Sequence, residues 1–417
     1  MIRDLIALAS IGATGENQEV LVKEWDRIFK LAQEHNVLPL VATAILSMPT
    51  HKCPTYIYDC ILNITRNVSS QNLIRKQRIV RLFAEMQAIG IKAIILKGET
   101  VARYYAYPES RSAVDTDIWI PEEQEQAAYS FFAGKGFEIT KRNRTSHHGI
   151  CQHKRYGKIE LHTKLYDDIV ADVWFRGLKD EDLLCEEFEN IQTEDGGYSS
   201  LGPTDQLLFM TLHMIKHFID GGLTLGMMID LALCYENNWN RIDDIRYWRI
   251  IGDLHYSRFV KTVYGIMTKY GGCKRLATDS WGECSEEQMV MLLRDLELGG
   301  YMGRIELQER YEAGMEYNRR LIMQTRSRSQ YVFYMIGWKL RSASKRMFLS
   351  CGEIRKQYPV VAKFVFLTPF AWIYQAVSYP INKITGGVLK REIRLNNTGL
   401  SVVAQRRIEM FEFFEMF

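Results

Sequence analysis

The sequence predicts an α+β protein: a small mixed-sheet unit over residues 89–175, set in a mostly helical chain. Three observations lead there. Apolar side chains recur at helical spacing before residue 89 and again from about residue 178. Between those stretches, short runs rich in β-branched residues stop at Gly or Pro. Within that middle part, Tyr156-Gly157 separates two alternating runs, as a hairpin turn does.

The elements follow in order. Trp25, Ile28, Phe29 and Ala32 share one helical face. Leu73, Ile79, Leu82, Phe83 and Met86 predict a long helix ending before Gly90. Ile91 to Leu96 reads as a buried strand stopped at Lys97-Gly98. Glu99 to Tyr107 can form a helix, closed by Pro108. Val114 to Ile120 alternates and is stopped by Pro121. Glu122 to Lys135 is a helix with Gly136 after it, and Phe137 to Thr140 is a short strand. His147 to His153 and Lys158 to Lys164 form an antiparallel hairpin. Pro203 and Thr204 open a helix reaching Ile219. The expected organisation is a helical region over 1–88, the α/β unit over 89–175, a helical region completing a cleft over 176–300, and a basic, aromatic helical region over 301–417.

Composition is that of an ordinary soluble globular chain, with 47% hydrophobic and 25% charged residues. A net charge of +3 argues against a chain that binds polyanions over its whole surface. The charge is uneven, however. Arg319 to Arg394 holds 15 Lys and Arg against two acids, while the remainder holds 38 against 48. A solvated basic face is the simplest reading, and an anionic membrane surface or acidic glycan is the alternative partner. No specific nucleic-acid module is recognised. Pro359 to Pro380 is apolar and aromatic, but Lys363 and Pro369 interrupt it, so a buried helix pair is favoured over a membrane span. Eight scattered cysteines, none in a C-x-x-C pair, fit free thiols in a reducing compartment. A cytoplasmic location is therefore expected, with peripheral membrane contact left to the basic region.

Asp115 and Asp117 stand two apart on a predicted strand, so both carboxylates project to one side. Two adjacent anions repel unless a cation separates them or one is protonated. Hard oxygen ligands suit Mg²⁺ or Mn²⁺. Glu160 and His162 repeat the two-residue spacing on a later strand; if that strand neighbours the first, Glu160 is a third carboxylate for the same metals. Lys97, Gly98 and Glu99 follow a strand where a backbone turn can approach phosphate, and Arg111 offers a forked cation. His213 and His217 lie four apart on one helical face, and a polar cleft lining is favoured over a metal site. Asp205 and Asp230 are candidates for the same lining. His147, His148 and His153 are read as cleft or surface residues, with metal binding less favoured.

This order of elements resembles the uncharacterised nucleotidyltransferase family of the DNA polymerase β-like superfamily. The likeness rests on Leu96-Lys97-Gly98, Tyr107-Pro108, Arg111, Asp115-x-Asp117 and Glu160-Leu161-His162. His213, His217 and Ile229-Asp230 extend it, as do Tyr358-Pro359 and Leu367-Thr368-Pro369. The resemblance implies a polymerase β-like core and transfer of a nucleoside monophosphate from an NTP to an acceptor, with Mg²⁺ or Mn²⁺ as cofactor. Asp115, Asp117 and Glu160 would then hold metal, and Lys97, Gly98, Glu99 and Arg111 would meet the nucleotide. The acceptor, whether small molecule, sugar, lipid or peptide, is not legible. Two departures stand out: Gly98-Glu99 replaces the usual Gly-Ser, and the third acid is Glu rather than Asp. They leave open a catalytically inactive binding or regulatory module. A D-x-D glycosyltransferase is the other alternative, disfavoured because the 88 residues before the core read as helical.

Overall fold

A computed structural model describes residues 1–16, 20–48, 53–142, 147–168, 170–276, 284–298, 307–325 and 400–417. The chain divides into two compact units, Met1–Tyr317 with Arg406–Phe417, and Asn318–Gln405. Of the second unit only residues 318–325 and 400–405 are described. Most of the basic Arg319–Arg394 stretch, Pro359–Pro380 and the Tyr358 and Leu367 motifs therefore lie outside the described residues.

Four helices come first: α1 (Ile2–Thr14), α2 (Trp25–Glu34), α3 (Leu38–Ser47) and the 34-residue α4 (Thr55–Ala88). The α/β part then runs β1 (Ile94–Ile95), α5 (Glu99–Ala102), β2 (Asp115–Trp119), α6 (Glu125–Gly134), β3 (Glu138–Thr140), β4 (His148–His153), β5 (Gly157–His162), α7 (Asp180–Leu183), β6 (Glu189–Thr193) and β7 (Gly196–Ser200). Helices resume with α8 (Pro203–Asp220), α9 (Leu225–Asn238), α10 (Asp244–Asp253), α11 (Ser257–Gly271), α12 (Glu286–Glu297), α13 (Leu307–Thr325) and α14 (Val402–Phe413).

The strands form one mixed sheet in the order β3-β4-β5-β2-β1-β7-β6. The β2–β5 and β1–β7 pairs are parallel, and the others are antiparallel. The fold is thus the expected small mixed sheet in a mostly helical protein. Two local expectations change. The helix expected over Glu99–Tyr107 is a single turn, α5. A hairpin, β6–β7, occupies a stretch read as helical; Glu194-Asp195 make its turn, and Gly196 opens β7 at φ 133°.

Alternation gives the sheet two unlike faces. Ile95, Ile118, Cys151, Ile159 and Leu161 point to one side and pack against Ile79, Leu82, Phe83 and Met86 of α4 and Ala128, Tyr129 and Phe132 of α6. Gly149 is needed beneath that layer. A Cβ there would lie 2.1 Å from the Tyr129 hydroxyl oxygen. Arg75 of α4 fixes the start of β2, donating to Ala113 O at 2.7 Å and Thr116 Oγ1 at 3.0 Å.

Two buried polar links join the helices. Arg407 of α14 donates to both oxygens of Asp295 in α12, at 2.9 and 3.0 Å, and to Phe218 O of α8. Its guanidinium also stacks near Phe218 and Phe411. Arg310 of α13 reaches Asp295 from another side at 3.5 Å.

His35 is the second link. Its Nε2 donates to Leu296 O at 2.8 Å, and its Nδ1 accepts from Leu225 N at 3.1 Å. The bond from Leu225 N needs an unprotonated Nδ1, and burial pushes the ring's pKa down to about 4. A depressed histidine pKa means the unfolded chain takes the proton first, so stability is lost as pH falls from about 6.5 to about 4. We expect His35 to account for about 3 kcal/mol of that loss. Urea unfolding of wild type and His35→Gln at pH 7 and pH 4.5 checks this; equal pH slopes in the two proteins would refute it. Among the described residues no helix is long and apolar enough to cross a membrane.

Candidate active site

The second face of the sheet is charged. β2 presents Asp115 and Asp117, β5 presents Lys158, Glu160 and His162, and β4 presents His148. Register brings them together: Asp117 lies opposite Glu160, Asp115 opposite Lys158, and His148 opposite His162. They line a cleft of about 440 Å³ that also takes in Lys97, Lys216, His213 and His217. Val37, Leu40, Phe209 and Met227 supply apolar lining.

The two aspartates are not left to repel each other. Lys97 Nζ lies 3.4 Å from Asp115 Oδ1 and 2.9 Å from Asp117 Oδ2. Burial opposes the charge on Lys97, but Asp117 and Asp115 outweigh it and raise its pKa. Burial likewise opposes the charge on Asp117, yet Lys97 and then His162 hold its carboxyl well below the usual range. Lys158 Nζ does the same on the neighbouring strand, 2.6 Å from Glu160 Oε1 and 3.3 Å from Asp115 Oδ2. The lysines thus hold Asp117 Oδ2 and Glu160 Oε1. Asp117 Oδ1 and Glu160 Oε2 turn toward His162 Nε2, at 3.1 and 3.8 Å.

Across the cleft, His213 Nε2 lies 3.2 Å from Lys97 Nζ and 3.0 Å from His217 Nε2. Burial and then Lys97 push the His213 pKa far down, and the same causes bring His217 to about 3. Both rings are neutral polar lining at pH 7. Burial, then His162, Lys216 and His148, takes His147 to about 2, and burial also lowers His148. His153 stands apart from this group, against Phe137 and Tyr156.

Arg111 is committed to a protein partner. Its Nε and Nη2 each lie 2.7 Å from an oxygen of Asp230, and the Tyr105 hydroxyl donates to Asp230 Oδ1 at 2.5 Å. This forked pair joins the Lys97–β2 segment to α9 beside the cleft. Asp205 lies elsewhere, accepting from Glu186 N at 2.8 Å and paired with Arg246 at 2.6 Å. Gly98 adopts φ 99° and ψ −110°, which a side chain would strain. Glu99, next to it, is only 7% exposed. Burial raises its pKa against the opposing charges of Arg75, Lys76 and Arg111.

Asp117, Glu160 and His162 each place one ligand atom within 4.8 Å of the other two. With Asp115 on the same strand face, the donor set fits a divalent ion. A family model described as uncharacterised nucleotidyltransferase matches residues 22–270, more than half of the chain. The chain belongs to this family. No curated protein and no solved structure matches it. The matched region contains the whole sheet, α8 and α9, and hence every charged group of the cleft. Sequence reasoning passed over Lys158 and Lys216. The alternation around Glu160 does put Lys158 on its face, but a lysine two residues from an acid is too common a pattern to single out.

Proposed function

We propose that the chain moves a nucleoside monophosphate from an NTP to an acceptor hydroxyl or phosphate, with Mg²⁺ or Mn²⁺ held by Asp115, Asp117 and Glu160. The observation that carries this reading is the parallel β2–β5 register, which sets Asp117 opposite Glu160 on the cleft face. A bound divalent ion would supply charge stabilisation at the phosphate oxygens.

The chain's own residues supply the rest. Lys97, Lys158 and Lys216 line the cleft and offer positive charge to a triphosphate. In the reaction the acceptor oxygen bonds to the α-phosphorus and the bond to pyrophosphate breaks. Glu160 is placed to take the acceptor proton. The Arg111–Asp230 pair holds the strand leading into β2 against α9, so Arg111 serves by positioning rather than by touching phosphate. Glu99 replaces the expected serine, but it is buried among the charges of Arg75, Lys76 and Arg111 and is not part of the cleft lining, so it is not set against a triphosphate there.

A binding-only module is the second reading, and Lys97 between the two aspartates favours it, since an ammonium already neutralises them. Incubation with each α-³²P-labelled NTP, Mg²⁺ and pools of candidate acceptors separates the two. Transfer of label with pyrophosphate release is expected. Calorimetric binding of ATP·Mg²⁺ without any turnover, including self-labelling and hydrolysis, would favour the binding module.

A further inference from the structure

Three imidazoles, those of His147, His148 and His162, meet on the β4 side of the acids. Each has one ring nitrogen turned toward a carboxylate. His162 Nε2 lies 3.1 Å from Asp117 Oδ1, His148 Nε2 lies 3.6 Å from Glu160 Oε2, and His147 Nδ1 lies 3.9 Å from Asp167 Oδ2. His162 Nε2 donates to Asp117 at 3.1 Å, which leaves Nδ1 of that ring as the lone pair. His147 Nε2 and His148 Nδ1 lie 3.1 Å apart and share one hydrogen, which a metal ion can replace. His162 Nδ1 is buried and has no hydrogen-bond partner among the described residues. A buried polar atom in that state calls for a donor or an ion. One ligand atom from each of the three rings lies within 4.8 Å of the other two.

We propose that His147 Nε2, His148 Nδ1 and His162 Nδ1 bind one transition ion of the zinc class. Nitrogen donors select such an ion over Mg²⁺, which prefers oxygen. Three histidines with a further open position form a recurrent zinc set, and bonds of about 2.0–2.1 Å put neighbouring donors roughly 3.3 Å apart. The 3.1 Å pair already has that spacing. His162 Nε2 then donates to Asp117, which is how a metal-bound imidazole is commonly held in place, while Glu160 and Asp167 face the outward nitrogens of His148 and His147 at 3.6 and 3.9 Å. Strand pairing sets His148 opposite His162, so the sheet itself fixes two of the three ligands. His162 belongs to both groups: it faces Asp117 and Glu160 with Nε2 and would meet this ion with Nδ1. The ion would sit beside the acids of the cleft rather than on them, and the site does not depend on the transfer reading.

The test uses the full chain, stripped with a chelator and titrated with Zn²⁺ by calorimetry and with Co²⁺ by visible absorption. One Zn²⁺ per chain is expected, with an intense Co²⁺ band of tetrahedral type and no competition from millimolar Mg²⁺. His147→Ala and His148→Ala should each weaken Zn²⁺ at least ~10-fold, with thermal unfolding confirming that both variants fold. Asp117→Asn, whose amide oxygen can still accept from His162 Nε2, should weaken Zn²⁺ less than either histidine variant. Wild-type Zn²⁺ affinity in both histidine variants would overturn the site. So would loss of Zn²⁺ in Asp117→Asn but in neither histidine variant, because the ion would then sit on the carboxylates. Mg²⁺-dependent transfer is measured in parallel. Zn²⁺ binding without transfer sinks only the transfer reading, and transfer without Zn²⁺ binding sinks only this site.

Discussion

Asp117→Asn is expected to lower nucleotide transfer on the order of 10³-fold, since a lost metal carboxylate removes several kcal/mol of transition-state stabilisation. Asp117 is nearly inaccessible, faces Glu160 across the strand pair and contacts Lys97 and His162. Neutralising it removes one of two acids around Lys97, and Asp115 at 3.4 Å remains to hold the ammonium. The variant should therefore fold, and circular dichroism would show it. Glu160→Gln should lose activity as well, since an amide can neither take the acceptor proton nor offer the metal a carboxylate. Turnover within about tenfold of wild type in both variants would remove the carboxylates from the mechanism.

The second large effect concerns stability. Asp295→Ala should destabilise the protein by about 3–5 kcal/mol, because it strands two buried guanidiniums. Arg407 and Arg310 are almost fully buried, and both reach this one carboxylate. Burial opposes the charge on Asp295, yet Arg407 and Arg310 outweigh it and lower its pKa. Arg407→Met should do less damage, since Asp295 keeps Arg310 and an apolar chain of similar length fills the space between Phe218 and Phe411. Urea unfolding measures both. A loss below about 1 kcal/mol for Asp295→Ala, or a larger loss for Arg407→Met, would show that the buried network holds little.

Much of this architecture is legible in local pattern. Alternation put Asp115 and Asp117 on one face, and Tyr156-Gly157 marked the turn between β4 and β5. Spacing also put Glu160 and His162 on a common face. What local pattern lacks is the neighbour relation. Nothing near residue 117 announces that β5 lies beside β2 in parallel, or that Lys97 inserts between the aspartates. The Arg111–Asp230 pair spans 119 positions, so an arginine that reads as a phosphate ligand in sequence is turned aside by an acid from a distant helix. The β6–β7 hairpin was missed for another reason. An Asp195-Gly196 dipeptide stands where its turn meets β7, but the polar strands around it carry little hydrophobic alternation.

The parallel pairing of β2 with β5 also governs when the acids can meet. Parallel neighbours cannot be joined by a tight turn, and here the connection runs through α6, β3 and β4. Asp117 and Glu160 therefore stay apart in any intermediate in which that crossover has not docked. Their convergence is a late, long-range event of the kind that slows folding. A nascent chain would carry every acid of the site long before it could trap an ion between them.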